Sequence, residues 1–220
     1  MIFPISGQTP NYTLEETKTM MRDLDTDPLK NSGVKVVYPV GDGSSGVFLV
    51  GEAPGQKEDE LGEPFVGASG RFLNNTLLPS ANLNRQNIYL TNIVKCRPPE
   101  NRDPLPEEKE AWGGVLLAEI LAIRPKVIVC LGRHSLGFFF PEAKISKVHG
   151  QALNLKMFED YTQAILPMYH PAVALYNPNM REVLQKDFLM INQLDKALVN
   201  PTQLESKVTT KPLASSESLF

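Results

Sequence analysis

Three short apolar runs constrain this chain more than anything else in it. Residues 46–50 (GVFLV), 87–94 (NIYLTNIV) and 126–131 (KVIVCL) are strand-length and rich in β-branched or aromatic residues. Each empties into a polar loop, and each loop leads into a stretch with helical spacing. Strands separated by helices imply a parallel sheet covered on both faces, because a parallel connection needs a crossover long enough to hold a helix. The fold class expected is α/β, a three-layer α/β/α sandwich around a short, mainly parallel central sheet. Open sheets of this kind place their sites beyond the carboxyl ends of the strands. The loops after these runs are therefore where function is to be sought.

The remaining elements follow from local signals. Thr13-Leu14-Glu15-Glu16 has the Thr-x-x-Glu form of a capping box and opens a helix over residues 13–22. Residues 34–38 alternate like an edge strand, and residues 69–78 have helical spacing. Pro106 is suited to the first turn of a helix over 106–123, with Glu107, Glu108 and Glu110 near the positive end of its dipole. Residues 151–155 and 163–168 read as short strands, and 179–198 as a closing amphipathic helix. The segment from residue 200 is Ser/Thr-rich without a clear period. The organisation expected is a helical lead-in over 1–33, one α/β domain over 34–199, and a disordered tail or linker over 200–220.

With 220 residues, 42% of them hydrophobic, the chain suits one sizeable domain. A net charge of −3 provides no global basic field, although a local basic rim remains compatible with it. Two cysteines cannot build a disulfide framework or a four-thiolate metal site. The N-terminus lacks the charged start and apolar core of a signal peptide, and no apolar run approaches a membrane span. A soluble, cytoplasmic protein acting as a monomer is expected.

The loop over residues 51–70, GEAPGQKEDELGEPFVGASG, carries five glycines, two prolines and a dense acidic cluster. It lacks both G-x-G-x-x-G and a Walker lysine, so dinucleotide and P-loop binding are set aside. Glu52, Glu58, Asp59, Glu60 and Glu63 have no spacing typical of metal ligands, and no metal site is assigned. Phe65 is either a core plug or a platform on which a planar base stacks, its neighbouring glycines leaving a ring face open. Asn92, at a strand end, is either a turn former or an amide that reads a base edge carrying one carbonyl and one N–H. His170, before Pro171, is either structural or a donor facing a developing anion. Lys95, Arg97 and Arg102, with Arg133, His134, Lys144, Lys147 and His149, form a broken basic series able to neutralise phosphates.

Taken together, these motifs resemble a known family. Gly51-Glu52-Ala53-Pro54-Gly55 through Glu58-Asp59, then Gly62-x-Pro64-Phe65-Val66-Gly67, resembles the first motif of the family 4 uracil-DNA glycosylases. Residues 91–102, TNIVKCRPPENR, resemble that family's middle motif, and Tyr169-His170-Pro171-Ala172 its last. The resemblance implies an enzyme that flips uracil out of DNA and hydrolyses its N-glycosidic bond, leaving an abasic site. Gly51, Glu58, Phe65 and Asn92 would bind uracil, with Phe65 stacking, Asn92 reading the polar edge and Glu58 excluding thymine's methyl group. His170 would stabilise the departing anion, while Glu52 and the backbone of Ala53 would place the attacking water. Lys95, Arg97, Arg102, Lys147, His149, Pro171, Leu175 and Tyr176 would contact DNA, Leu175 as the tip of a wedge over residues 171–178.

Three departures accompany the resemblance. Family members usually carry an iron–sulfur cluster on four cysteines, and the corresponding positions here are Leu24, Asp27, Cys96 and Trp112. One thiolate cannot hold such a cluster. No cofactor is expected, with Leu24 and Trp112 filling the place by apolar packing. Tyr176 stands where an arginine is usual, and His149-Gly150 where Arg-Gly is usual, which removes positive charge from the DNA side. A second reading is therefore a weak or inactive glycosylase-fold module that binds DNA or a replication or repair protein.

Overall fold

The computed structural model of the protein describes residue 3 and residues 5–197. The segment expected to be a tail, 200–220, lies outside them. Near the start, α1 (Leu14–Asp23) is fixed by the capping box: Glu16 N–H donates to Thr13 Oγ1 at 3.2 Å, and Thr13 N–H to Glu16 Oε2 at 2.7 Å. A short α2 (Pro28–Asn31) follows, with Asp27 at its N-cap and Pro28 in its first turn.

The sheet is built as the apolar runs require. Strands β1 (Val47–Gly51), β2 (Tyr89–Asn92), β3 (Val127–Leu131), β4 (Leu153–Phe158) and β5 (Tyr161–Met168) lie in the order β2-β1-β3-β5-β4. The pairings β1/β2, β1/β3 and β3/β5 are parallel, and β4/β5 is an antiparallel hairpin at one edge. Every residue of β1, β2 and β3 is buried, as strands covered on both faces must be. Alternate residues serve opposite layers. Phe48, Val50, Ile128, Cys130 and Ile165 pack into one core, while Leu49, Leu90, Val129, Leu131 and Leu166 pack into the other.

The crossover helices supply the outer layers. From β1 the chain passes through α3 (Gln56–Leu61) and then α4 (Ala68–Phe72), a π-helical turn (Leu73–Leu77) and α5 (Leu78–Ser80). After β2 comes α6 (Pro106–Ile123), and after β3 come α7 (Arg133–Phe139) and α8 (Ile145–Val148). After β5, a single turn α9 (Val173–Tyr176) precedes α10 (Met180–Ala197). Helix α10 covers one face with Leu184, Phe188, Ile191 and Leu194.

Three local readings differ. Residues 34–38 form no strand: Val37 N–H reaches Lys95 O at 2.8 Å, and Val40 makes an isolated bridge to Leu90. One bond and one bridge cover the outer edge of β2 without a ladder. The hairpin strands run longer than their apolar cores suggest, because exposed Asn154, Lys156 and Thr162 still pair across the ladder. The 51–70 connection is also not all loop. It contains α3, stopped by Gly62 in the left-handed region (φ 76°), whose N–H returns to Glu58 O at 2.8 Å.

Candidate active site

Parallel pairing brings the site together. Gly51 and Asn92 are register partners at the ends of β1 and β2. The pairing continues one step beyond, with Ile93 N–H on Gly51 O at 3.0 Å and Val94 N–H on Glu52 O at 3.1 Å. A side chain on Gly51 would fall inside contact distance of Asn92 Oδ1 and within 2.7 Å of Phe65 Cζ. Only glycine lets the amide and the ring close over the strand end. Asn92 is 3% exposed, and its side-chain amide makes no hydrogen bond to the described residues. A buried amide without a protein partner is set to receive one from a ligand.

Phe65 is held in a strained conformation. Its φ of 54° lies in the left-handed region, rare for an aromatic residue. Three groups keep it there. Glu58 Oε1 accepts from Val66 N–H at 2.9 Å and Gly67 N–H at 2.8 Å, and Asn74 Nδ2 donates to Phe65 O at 3.1 Å. Asn74 projects from the π-helical turn, a distortion that often marks functional sites. Gly70 is required too, since a Cβ there would collide with the Phe65 carbonyl. The ring is 5% exposed and belongs to the core cluster with Leu73, Leu77 and Met168. The flanking glycines therefore serve backbone approach and do not leave an open ring face.

His170 follows β5 and meets Phe65 at a centroid distance of 5.7 Å and an interplanar angle of 32°. Ala172 N–H donates to His170 Nδ1 at 3.2 Å, so Nδ1 is an acceptor and the ring proton sits on Nε2. Burial pushes the pKa down to about 4 against a small opposing pull from Glu58, which keeps the imidazole neutral at pH 7. Gly132, at φ 103°, admits the histidine, its own Cβ position lying 3.1 Å from His170 Cβ.

Glu52 turns off β1 into a different group. His134 Nε2 lies 3.6 Å from Glu52 Oε1 and 3.2 Å from Asp103 Oδ2, while Arg133 reaches Asp103 Oδ2 at 3.1 Å and donates to His134 Nε2 at 2.9 Å. Burial, then the nearby Asp103 carboxylate, raises Glu52 to about 7, against Lys109 and Arg133, which lower it. The positive charge that two carboxylates and an imidazole attract is supplied here by the Arg133 guanidinium. Ala53 is half-buried beside Glu52. Asp103 and Asn74 had no sequence signal: each is a single polar residue brought in by a turn or a helix distortion.

The DNA-binding set divides. Lys95 does not belong to it: its side chain is fully buried, paired with Glu119 Oε2 at 2.7 Å, and donates to Thr91 Oγ1 at 2.9 Å and to Asn92 O. Thr91 and Tyr89 complete this network on Glu119 Oε1 at 3.0 and 3.2 Å. Position three residues past a strand end gave Lys95 the look of a loop cation, but the chain folds it back under the sheet. Pro171 is also buried, at the base of α9, and offers no surface to DNA. Leu175 and Tyr176 are exposed, at 41% and 88%. Arg102 is engaged by Glu108 at 2.6 Å, and Arg97 donates to Asn101 Oδ1 at 2.9 Å. Lys147 is exposed on α8, while His149 Nδ1 is 2.9 Å from Asp187 Oδ2 and its ring packs on Tyr169.

The four positions compared with cluster cysteines form a different structure. Trp112 is fully buried and donates Nε1–H to Asp27 Oδ2 at 2.8 Å; Asp27, also fully buried, accepts Leu29 N–H at 3.1 Å and Lys30 N–H at 3.3 Å. Leu24 packs against the same core, and the Cys96 thiol lies 3.9 Å from Val34 O. Burial, then Asp27, holds that thiol well above its ordinary range. The other cysteine, Cys130, is inside β3. An indole, a carboxylate, a leucine and one protonated thiol do not fit a cluster that needs four thiolates. Asp27 gives the Trp112 packing a polar partner that apolar filling alone did not foresee.

Comparison with known proteins agrees with this geometry. The uracil DNA glycosylase superfamily matches residues 38–193. The type-4 uracil-DNA glycosylase of Archaeoglobus fulgidus is 44% identical over 76% of this chain and 85% of its own length. That of Sulfurisphaera tokodaii is 44% identical over 67% of this chain and 69% of its own. That of Saccharolobus solfataricus is 40% identical over 70% and 73%. The three motifs, the parallel sheet that joins them and these likenesses have one meaning: the chain belongs to the uracil DNA glycosylase superfamily.

Proposed function

We propose that this protein excises uracil from DNA, leaving an abasic site for base-excision repair. The observation that carries the reading is the closure of Asn92, Phe65 and His170 around Gly51, where any side chain would obstruct both the amide and the ring. A flipped uracil entering there meets an amide with no protein partner and a neutral N–H donor, beside the Phe65 ring. Cleavage of the bond between sugar C1′ and base N1 leaves its electron pair on the base. His170 Nε2–H stabilises that anion without first losing a proton to solvent, because its neutral form is the resting one. Water adds to C1′, and Glu52, half-buried at the end of β1, takes its proton.

Glu58 secures Phe65 through Oε1, and its second oxygen is the group that would border the base's C5 edge. Exposed Leu175 and Tyr176 on α9 are suited to fill the gap left by the flipped nucleotide, with Arg97, Arg102 and Lys147 available to the phosphates. The protein works without an iron–sulfur cluster, since three of the four ligand positions hold no thiol. The retained site and the type-4 relatives support an enzyme over a non-catalytic DNA or repair-protein module.

The test is incubation with a uracil-containing single-stranded oligonucleotide followed by alkaline cleavage. Strand breaks at the uracil, reduced at least about 100-fold by Asn92→Ala, are expected. Cleavage no greater than with the variant would remove the enzyme reading.

A further inference from the structure

We propose that His134 and Asp103, outside the three recognised motifs, form a relay beside Glu52, in which His134 accepts the proton that Glu52 takes from water and Asp103 faces the imidazolium so formed. The inference rests on the reading of Glu52 as the base. It starts from geometry: Glu52 leaves β1, Asp103 sits in the loop before α6 and His134 in the first turn of α7, yet their ligating atoms all lie within 4.8 Å of one another. Three segments converging on one carboxylate exceed what an isolated surface pair requires.

The charges facing Glu52 are Asp103 from the loop, Lys109 from α6, and Arg133 and His134 from α7. Arg133 ties the group together. Its guanidinium donates to Asp103 Oδ2 and to His134 Nε2, which makes that imidazole nitrogen an acceptor in the resting state. The same nitrogen is 3.6 Å from Glu52 Oε1. Burial holds His134 below its ordinary pKa, so it rests neutral, while the Asp103 carboxylate pulls the other way and favours its imidazolium.

The protons balance. Water loses one to Glu52 as its oxygen bonds to C1′; the resulting carboxylic acid passes it to His134 Nε2, which Arg133 Nε releases while Arg133 Nη2 stays on Asp103. The imidazolium then lies 3.2 Å from the Asp103 carboxylate. His134 also lines an open groove of about 710 Å³, together with Lys109, Glu110 and Phe138, through which it returns the proton to solvent. Asp103 has a second effect, since its charge disfavours ionised Glu52 and thereby strengthens it as a base.

The experiment is single-turnover uracil release from an oligonucleotide across pH 5–9, for the wild type and for Glu52→Gln, Asp103→Asn and His134→Ala, each checked for a wild-type melting temperature. Asp103→Asn is expected to move the acid limb to lower pH. His134→Ala is expected to lower the rate at saturating enzyme about tenfold without changing half-saturation, and added imidazole should restore it through the groove. Wild-type limb and rate in both variants would overturn the proposal, as would a loss at His134 that imidazole does not reverse. If Glu52→Gln itself retains the wild-type rate, the assignment of Glu52 as base fails, which is a separate result.

Discussion

At the scale of single residues, the site depends on groups whose position leaves no tolerance. Gly51 is the sharpest case. A methyl group there would push aside both Asn92 and Phe65, and misplacement by about 1 Å can cost about 100-fold in rate. Gly51→Ala is expected to lower kcat/KM by at least about 100-fold and to lower the melting temperature as well, by an overpacking cost of about 1–3 kcal/mol, with kcat/KM measured on the same oligonucleotide where the variant is folded. The two titrating groups predict the pH profile. Glu52 must be ionised to accept a proton, and its raised pKa of about 7 makes activity rise as pH increases through that value. His170 stays neutral until about pH 4, so it contributes no limb near neutrality. A kcat/KM profile with an acid limb near 7 is expected; a flat profile between pH 5 and 8 would show that Glu52 does not gate the reaction.

At the scale of elements, two buried polar pairings hold the layers that carry the motifs. Lys95 and Glu119 join the end of β2 to α6 beneath Asn92, with both side chains fully buried. Removing one charge strands the other, a loss of about 3–5 kcal/mol, whereas replacing both with apolar groups leaves no unpaired charge. Lys95→Met should therefore be strongly destabilised in urea, and Lys95→Met with Glu119→Leu should recover most of that stability. The second pairing joins the N-terminal segment to α6 through the Trp112–Asp27 hydrogen bond. Trp112→Phe keeps the packing but leaves Asp27 without its indole donor, a cost of about 1–3 kcal/mol. Its denaturation midpoint should fall while uracil release at 25 °C is unchanged, because the hydrogen bond lost is to Asp27, outside the site.

At the scale of the whole molecule, the sheet was legible because its strands are continuous apolar runs and its helices carry clear starts. The site was legible where a motif residue sits at a strand end: Gly51, Asn92 and His170 arrive there by topology alone. What stayed hidden depended on direction or distant packing. Lys95 and Arg102 look alike in sequence, yet one is fully buried against Glu119 while the other stays half-exposed, held by the buried Glu108. The approach of Asp103 and His134 to Glu52 depends on how α6 and α7 lie against β1, which no local spacing records. The replacement of three cysteines was plain in the sequence, but not that Asp27 and Trp112 would become hydrogen-bond partners. The central claim is that this sheet end excises uracil without a metal cluster, and one measurement tests it most directly: free uracil released from a labelled oligonucleotide, set against the iron content of the same protein preparation. Stoichiometric or catalytic uracil release by iron-free protein is the predicted result. No release, or release that rises and falls with bound iron, would contradict it.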